Sequence, residues 1–172
     1  MRKILGLAIV ALLTFSFSGV NAQNYKFGHI NSQELLKAMP DRDSAEAKIR
    51  KYAESLEDQI EQLQVEFNKK YQDYLQKRAT FTDAIREMKE KELTDMQQRA
   101  QEYQQVAEQD YQRYQVETMK PVIDKADEAI KKVAKANGFT YIFDTSTGVL
   151  LYFSEQSIDI TPLVKKELGI TK

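Results

Sequence analysis

Only one histidine, His29, and no cysteine occur among the 172 residues. A nucleophile and its base would therefore have to be built from hydroxyls, carboxylates and that single imidazole. His29 sits in a short aromatic run, Tyr25-Lys26-Phe27-Gly28-His29-Ile30, which suits a packed or rim side chain better than a general base. Carboxylates are plentiful, for example Asp124, Asp127 and Glu128, but they lie among lysines on a helical stretch and offer no converging ligand set. None of the six glycines belongs to a Gly-Lys-Ser/Thr phosphate-binding motif. The sequence thus predicts no enzyme, no metal and no cofactor, and leaves binding through surfaces as the chemistry to explain.

Arg2 and Lys3 precede an apolar run from Ile4 to Phe15, followed by small residues ending in Val20-Asn21-Ala22. That is the pattern of an export signal, with cleavage expected near Ala22. The run is shorter than the roughly 20 residues of a membrane span. Without cysteine, neither a lipid anchor nor a disulfide framework is available in the oxidising compartment that export implies, so stability must come from packing or assembly. Removing residues 1–22 leaves 23 basic and 26 acidic residues, a balance with no general attraction for nucleic acid.

Long helices must position whatever surface does the binding. From Asp41 to Lys120 there is no glycine or proline. Apolar residues recur at helical spacing in Ala45, Ile49, Tyr52, Leu56, Ile60, Leu63, Phe67, Tyr71 and Tyr74. A second stripe runs through Ile85, Met88, Leu93, Met96, Ala100, Tyr103, Ala107, Tyr111, Tyr114 and Thr118. Between them, Ala79-Thr80-Phe81-Thr82-Asp83 predicts an apex where Thr80 or Thr82 caps a new helix. The alternative is one continuous helix. The prolines favour a hairpin, because an apex at Phe81 places Pro40 and Pro121 at the same level. Each arm then extends about 60 Å, and the second continues past Pro121 to stop at Asn137-Gly138.

Both chain ends read as the body that carries this hairpin. Strands are expected at Tyr25–Ile30, with Tyr25, Phe27 and His29 on one face, and at Phe139–Asp144, with Phe139, Tyr141 and Phe143 on one face. A third is expected at Val149–Phe153 after a turn at Thr145–Gly148. Short helices are predicted at Ser32–Ala38 and from Asp159 or Thr161 onward. The division is residues 1–22 as signal, 23–40 and 121–172 as a β-containing oligomerisation body, and 41–120 as the hairpin. The fold class is α+β and mostly α. Three short strands are marginal alone and expose their edges, so Tyr25, Phe27, Ile30, Phe139, Tyr141, Phe143, Leu151 and Phe153 are candidates for contacts between copies.

On the arms, thirteen glutamines from Gln59 to Gln115 alternate with tyrosines and methionines, a surface suited to many weak contacts. Val65, Leu75, Val106 and Val116 fall outside both stripes and are candidate client contacts, the plain alternative being ordinary solvent-side residues. Charge is uneven. Residues 69–91 hold seven basic side chains (Lys69, Lys70, Lys77, Arg78, Arg86, Lys89, Lys91) against four acidic ones, while residues 41–68 hold four against eight and residues 92–117 two against six. A basic tip on acidic shafts suits weak contact with an anionic membrane surface, the alternative being a solvated helix surface.

Three stretches resemble the Skp (OmpH) family: Lys26–Pro40 (KFGHINSQELLKAMP), Gly138–Phe153 (GFTYIFDTSTGVLLYF) and Ile158–Gly169 (IDITPLVKKELG). The resemblance implies a homotrimer in which a small β-barrel body completed by trimerisation carries three helical tentacles around a cavity. It also implies a periplasmic, ATP-independent holdase whose partners are unfolded outer-membrane proteins. The family's better-known members are strongly basic and this chain is slightly acidic, so no lipid-binding residue carries over. The other reading of the same helices is a structural or adaptor coiled coil that binds a folded partner.

Overall fold

The computed structural model describes residues 25–170; the expected export signal, with its expected cleavage near Ala22, falls outside the described residues. In chain order the elements are β1 (Phe27–Ile30), α1 (Ser32–Lys37), α2 (Pro40–Lys77), a 3-10 turn (Arg78–Thr80), α3 (Asp83–Ala136), β2 (Tyr141–Asp144), β3 (Ile158–Asp159) and α4 (Thr161–Glu167).

Local chemistry sets the ends of the two long helices. Met39 is extended and Pro40 occupies the first turn of α2, with Asp41 and Asp43 beside the helix N-terminus. At the apex Phe81 turns extended, and the Thr82 side chain accepts the Ile85 amide at 3.4 Å, so Thr82 is the cap that restarts the chain as α3. That helix runs 54 residues and passes straight through Pro121, which supplies no amide for the Glu117 carbonyl. Asn137 and Gly138, the latter at φ +68, end it. The Phe139 amide then bonds back to the Ala134 carbonyl at 3.0 Å.

The three strands form one parallel sheet in the order β2-β1-β3. Parallel neighbours need a crossover, and here the entire helical hairpin is the crossover from β1 to β2. One face of the sheet packs on α1, the base of the hairpin and α4. The core there is Ile30, Leu35, Met39, Ala45, Val122, Ala126, Ala129, Val133, Ile160 and Val164, with Phe139 and Ile142 against it. Lys132 pairs with Glu167 at 2.5 Å across the α3–α4 contact. Beside β1, Asp144 closes a polar corner. Its carboxylate accepts the Ser32 hydroxyl at 2.5 Å and the Ser32 and Ser146 amides at 3.2 and 2.9 Å. Burial alone would push this carboxyl upward, but those hydrogen bonds outweigh it and hold Asp144 below the usual carboxylate range.

Three expectations are corrected. Val149–Phe153 forms no strand within the protomer; the third strand is Ile158–Asp159, paired with β1 on the side away from β2. Strand propensity at Val149–Phe153 is real, but the backbone there finds no neighbouring strand in its own chain. The first strand begins at Phe27 and the second at Tyr141, not at Tyr25 and Phe139. Finally, Phe139 does not share a face with Tyr141 and Phe143. The bend after Gly138 sends its ring to the core side, beneath the Lys26 ammonium at 4.3 Å.

Gly28 is what lets the sheet close on that core. A Cβ there would stand 2.8 Å from Ile142 Cδ1, 3.0 Å from Phe139 Cε1 and 3.1 Å from Ile160 Cγ2. Gly28→Ala should therefore destabilise the body by about 1–3 kcal/mol, read as a lower urea midpoint; an unchanged midpoint would show that the three side chains give way freely.

Candidate functional site: the hairpin surface and the open face of the body

The two predicted stripes meet as the seam of the hairpin. At its base Lys125 pairs with Asp41 at 2.6 Å, the same register as the ring stack above it, so Pro121 lies about one helical turn above Pro40 and not level with it. Higher up, Tyr52 and Tyr114 stack with centroids 4.2 Å apart. Ala45, Ile49 and Tyr74 of α2 and Met96 and Ala107 of α3 are buried. Near the apex the Tyr74 and Phe81 rings fill the seam, 6.3 Å apart, and leave the stripe residues Tyr71, Ile85 and Met88 exposed.

The tip is bound by a charge network that runs within and between the two helices. Glu92 accepts from Lys70 and, at 2.8 Å, from Lys89, while the Tyr74 hydroxyl donates to Glu90. The hydrogen bond from Lys70, then that from Lys89, pull the Glu92 carboxyl down to about 2. The same contact with Glu92 raises Lys70, and the Glu90 carboxylate raises the Tyr74 phenol. Of the other predicted tip cations, Lys77 pairs with Asp73 and Arg86 with Asp83. Lys69, Arg78 and Lys91 make no ion pair among the described residues.

Val65, Leu75, Val106 and Val116 are all exposed, and they do not form one patch. Val65 lies two residues from both Leu63 and Phe67, and Val116 two from both Tyr114 and Thr118, so each points away from the seam of its own helix. Leu75 and Val106 adjoin the seam residues Tyr74 and Ala107 and lie on the flanks. Apolar surface on the arms is thus distributed.

It is concentrated on the body. Tyr25, Phe27, Tyr141 and Phe143 share the open face of the sheet, each 41–58% exposed, with ring centroids 6.1–6.4 Å apart from one neighbour to the next. Alongside them the His29 ring stacks on Phe153 at 4.2 Å and its Nδ1 meets the Ser157 hydroxyl at 2.9 Å. Leu151 is 94% exposed, and Val149 and Tyr152 are nearly as open. Ile30, by contrast, is in the protomer's own core. Among the described residues no cluster of His, Cys, Asp and Glu is placed to hold a metal, and no helix is long and apolar enough to cross a membrane.

These features define a class: a two-helix arm with weakly apolar, largely solvated walls, rooted in a small α/β base with an open aromatic face. A family model described as "Outer membrane protein (OmpH-like)" matches residues 26–168, and the chain belongs to that OmpH-like family. It is similar to a protein named "Chaperone protein Skp" from Photorhabdus luminescens, with 21% identity over 168 residues that cover 98% of this chain and 99% of the other. Its fold is that of an OmpH-like outer membrane chaperone from Caulobacter crescentus whose crystal structure matches with a TM-score of 0.73 at 14% identity, covering 89% of each chain.

Because the Glu92 carboxyl is depressed in the folded tip, its contribution to stability is complete above its ordinary value of 4.5 and is lost as pH falls toward 2. Amide exchange around residues 70–92 should therefore speed up over that window beyond the intrinsic pH effect. Glu92→Gln should flatten the profile; an unaltered profile in that variant would exclude Glu92 as its source.

Proposed function

We propose that this protein is a non-enzymatic, ATP-independent holdase of the periplasm that binds unfolded outer-membrane proteins between helical arms and keeps them from aggregating before insertion. The hairpin supports this reading most directly. Its two helices use one seam to hold each other and leave the rest of about 57 Å of arm (1.5 Å for each of the 38 residues of α2) open to solvent, far more surface than the fold itself needs. Scattered valines and leucines among glutamines give that surface many shallow contacts, which suits clients without a fixed sequence. The chaperone names of its relatives point the same way.

Assembly belongs to the same proposal. Tyr25, Phe27, Tyr141 and Phe143, together with Leu151 and Phe153, form an apolar area on the body that a soluble monomer rarely leaves uncovered, and three copies joined there would set their arms around a shared cavity. The unpaired tip cations Lys69, Arg78 and Lys91 would lie at the mouth, placed for weak contact with a membrane surface.

Dilution of a denatured outer-membrane β-barrel protein into buffer, with and without the purified protein and with no nucleotide, tests the reading by light scattering. Suppressed scattering and a discrete complex containing several copies are expected. Unchanged scattering from a well-folded oligomer would favour the adaptor reading and a folded partner. Replacing Val65, Leu75, Val106 and Val116 together by Ser should weaken holding while helicity and assembly are kept; undiminished holding would remove the four from the contact surface.

A further inference from the structure

The middle of the hairpin differs in charge from the tip and the base. Between Tyr52 and Asn68, α2 carries Glu54, Glu57, Asp58, Glu61 and Glu66 and not one lysine or arginine. All five are exposed, and none has an ion-pair partner among the described residues. The antiparallel stretch of α3 from Arg99 to Arg113 adds Glu102, Glu108 and Asp110, and Arg113 is already spent on Asp110 at 2.5 Å. At the tip Glu92, and at the base Asp41 and Glu46, by contrast, are paired with lysine or arginine.

This zone also contains an apolar groove. Between the Tyr52–Tyr114 stack and the tip network, Ala107 stands where a larger side chain would fill the seam. A cleft of about 410 Å³ remains there, with Leu56, Ile60, Ala107 and Tyr111 lining it and Glu57 and Glu108 among its walls. On the outer side of α2, Val65 shares a second shallow cleft with Asp58, Glu61 and Glu66, three carboxylates against the single ammonium of Lys69 at its tipward end. Apolar floor and carboxylate rim occur together in both places.

A single exposed carboxylate attracts little. Here, however, like charges recur at intervals of one helical turn, about 5.4 Å, shorter than the roughly 8 Å screening length at physiological salt. Their potentials overlap, and an approaching cation meets several at once. An acidic segment meets the same field as repulsion, while a neutral apolar segment gains the floor and nothing from the rim. Charge complementarity therefore selects one occupant.

We infer that the mid-hairpin grooves bind cationic-amphipathic stretches of unfolded polypeptide, in which lysine or arginine stands beside aromatic or branched apolar residues. This deepens the holdase reading and rests on it: the arms sort the segments of a client by charge, holding basic-apolar stretches along the shaft and leaving acidic ones for the basic tip.

Three unstructured peptides of one length and one apolar pattern, with polar positions all lysine, all glutamate or all glutamine, test this by fluorescence anisotropy against the full protein. At low salt the lysine peptide should bind on the order of tenfold more tightly than the glutamate peptide, and the gap should close as salt rises to roughly 0.3 M. In the variant Glu57→Gln, Asp58→Asn, Glu61→Gln, Glu108→Gln, whose exposed near-isosteric changes leave the helices intact by circular dichroism, the preference should collapse. Equal binding of the three peptides, no binding of the lysine peptide, or a preference that survives in the variant overturns the inference. The β-barrel dilution assay separates the two levels: client holding without charge preference sinks the grooves alone, and charge preference without client holding sinks the holdase reading alone.

Discussion

Everything beyond the body depends on the pairing of Phe27–Ile30 with Tyr141–Asp144, two segments that lie at opposite ends of the hairpin in sequence and side by side in space. Four residues on each side are a short ladder. It holds because Gly28 admits Ile142, Phe139 and Ile160 to the same spot, and because Asp144 ties the end of β2 to the first turn of α1 through Ser32. With the roots of the arms fixed in that way, α2 and α3 leave the body together, and their seam needs only moderate packing to stay closed. The tyrosines and alanines of the seam supply it: broad rings cover area, and small residues let the backbones approach.

Much of this was legible in the sequence. A glycine- and proline-free stretch with two helical stripes has few solutions, and the Asp41–Lys125 pair shows that the hairpin and not one continuous helix is the one taken. Residue type and position marked both Thr80 and Thr82 as caps, and the structure uses Thr82. The sheet was harder. Ile158–Asp159 is too short to carry any alternation, and its pairing is dictated by where β1 lies, which is tertiary information. Val149–Phe153 misled because its composition reports a preference for strand that only a neighbouring backbone can satisfy. Phe139 was misassigned because period-two reasoning assumes the strand has already begun, whereas the positive φ of Gly138 delays it by two residues.

Of the candidate site, the residue types were readable and their mutual placement was not. The exposed aromatics Tyr25, Phe27, Tyr141 and Phe143 follow from alternation about a buried Ile30. That Val65 and Val116 point away from the seam also follows from counting. Counting gives the i,i+3 pair of Lys89 with Glu92; what it cannot give is the pairing between helices, Tyr74 with Glu90 and Lys70 with Glu92, which depends on the rotation of each arm about its axis. A wheel drawn for either helix alone shows Lys70, Glu90 and Glu92 as ordinary charges of a solvated face.

The parallel crossover also sets an order of events. A chain made from its N-terminus completes β1 first, yet that strand has no partner until the last residues of α3 have passed and β2 exists. Closing so long a loop through disordered chain is entropically costly and slow, whereas the hairpin, built from contacts local to its apex, can zip toward its base and deliver both strands to each other. The aromatic face of the sheet is therefore displayed only after the arms are formed, and whatever covers that face meets a molecule whose arms are already in place.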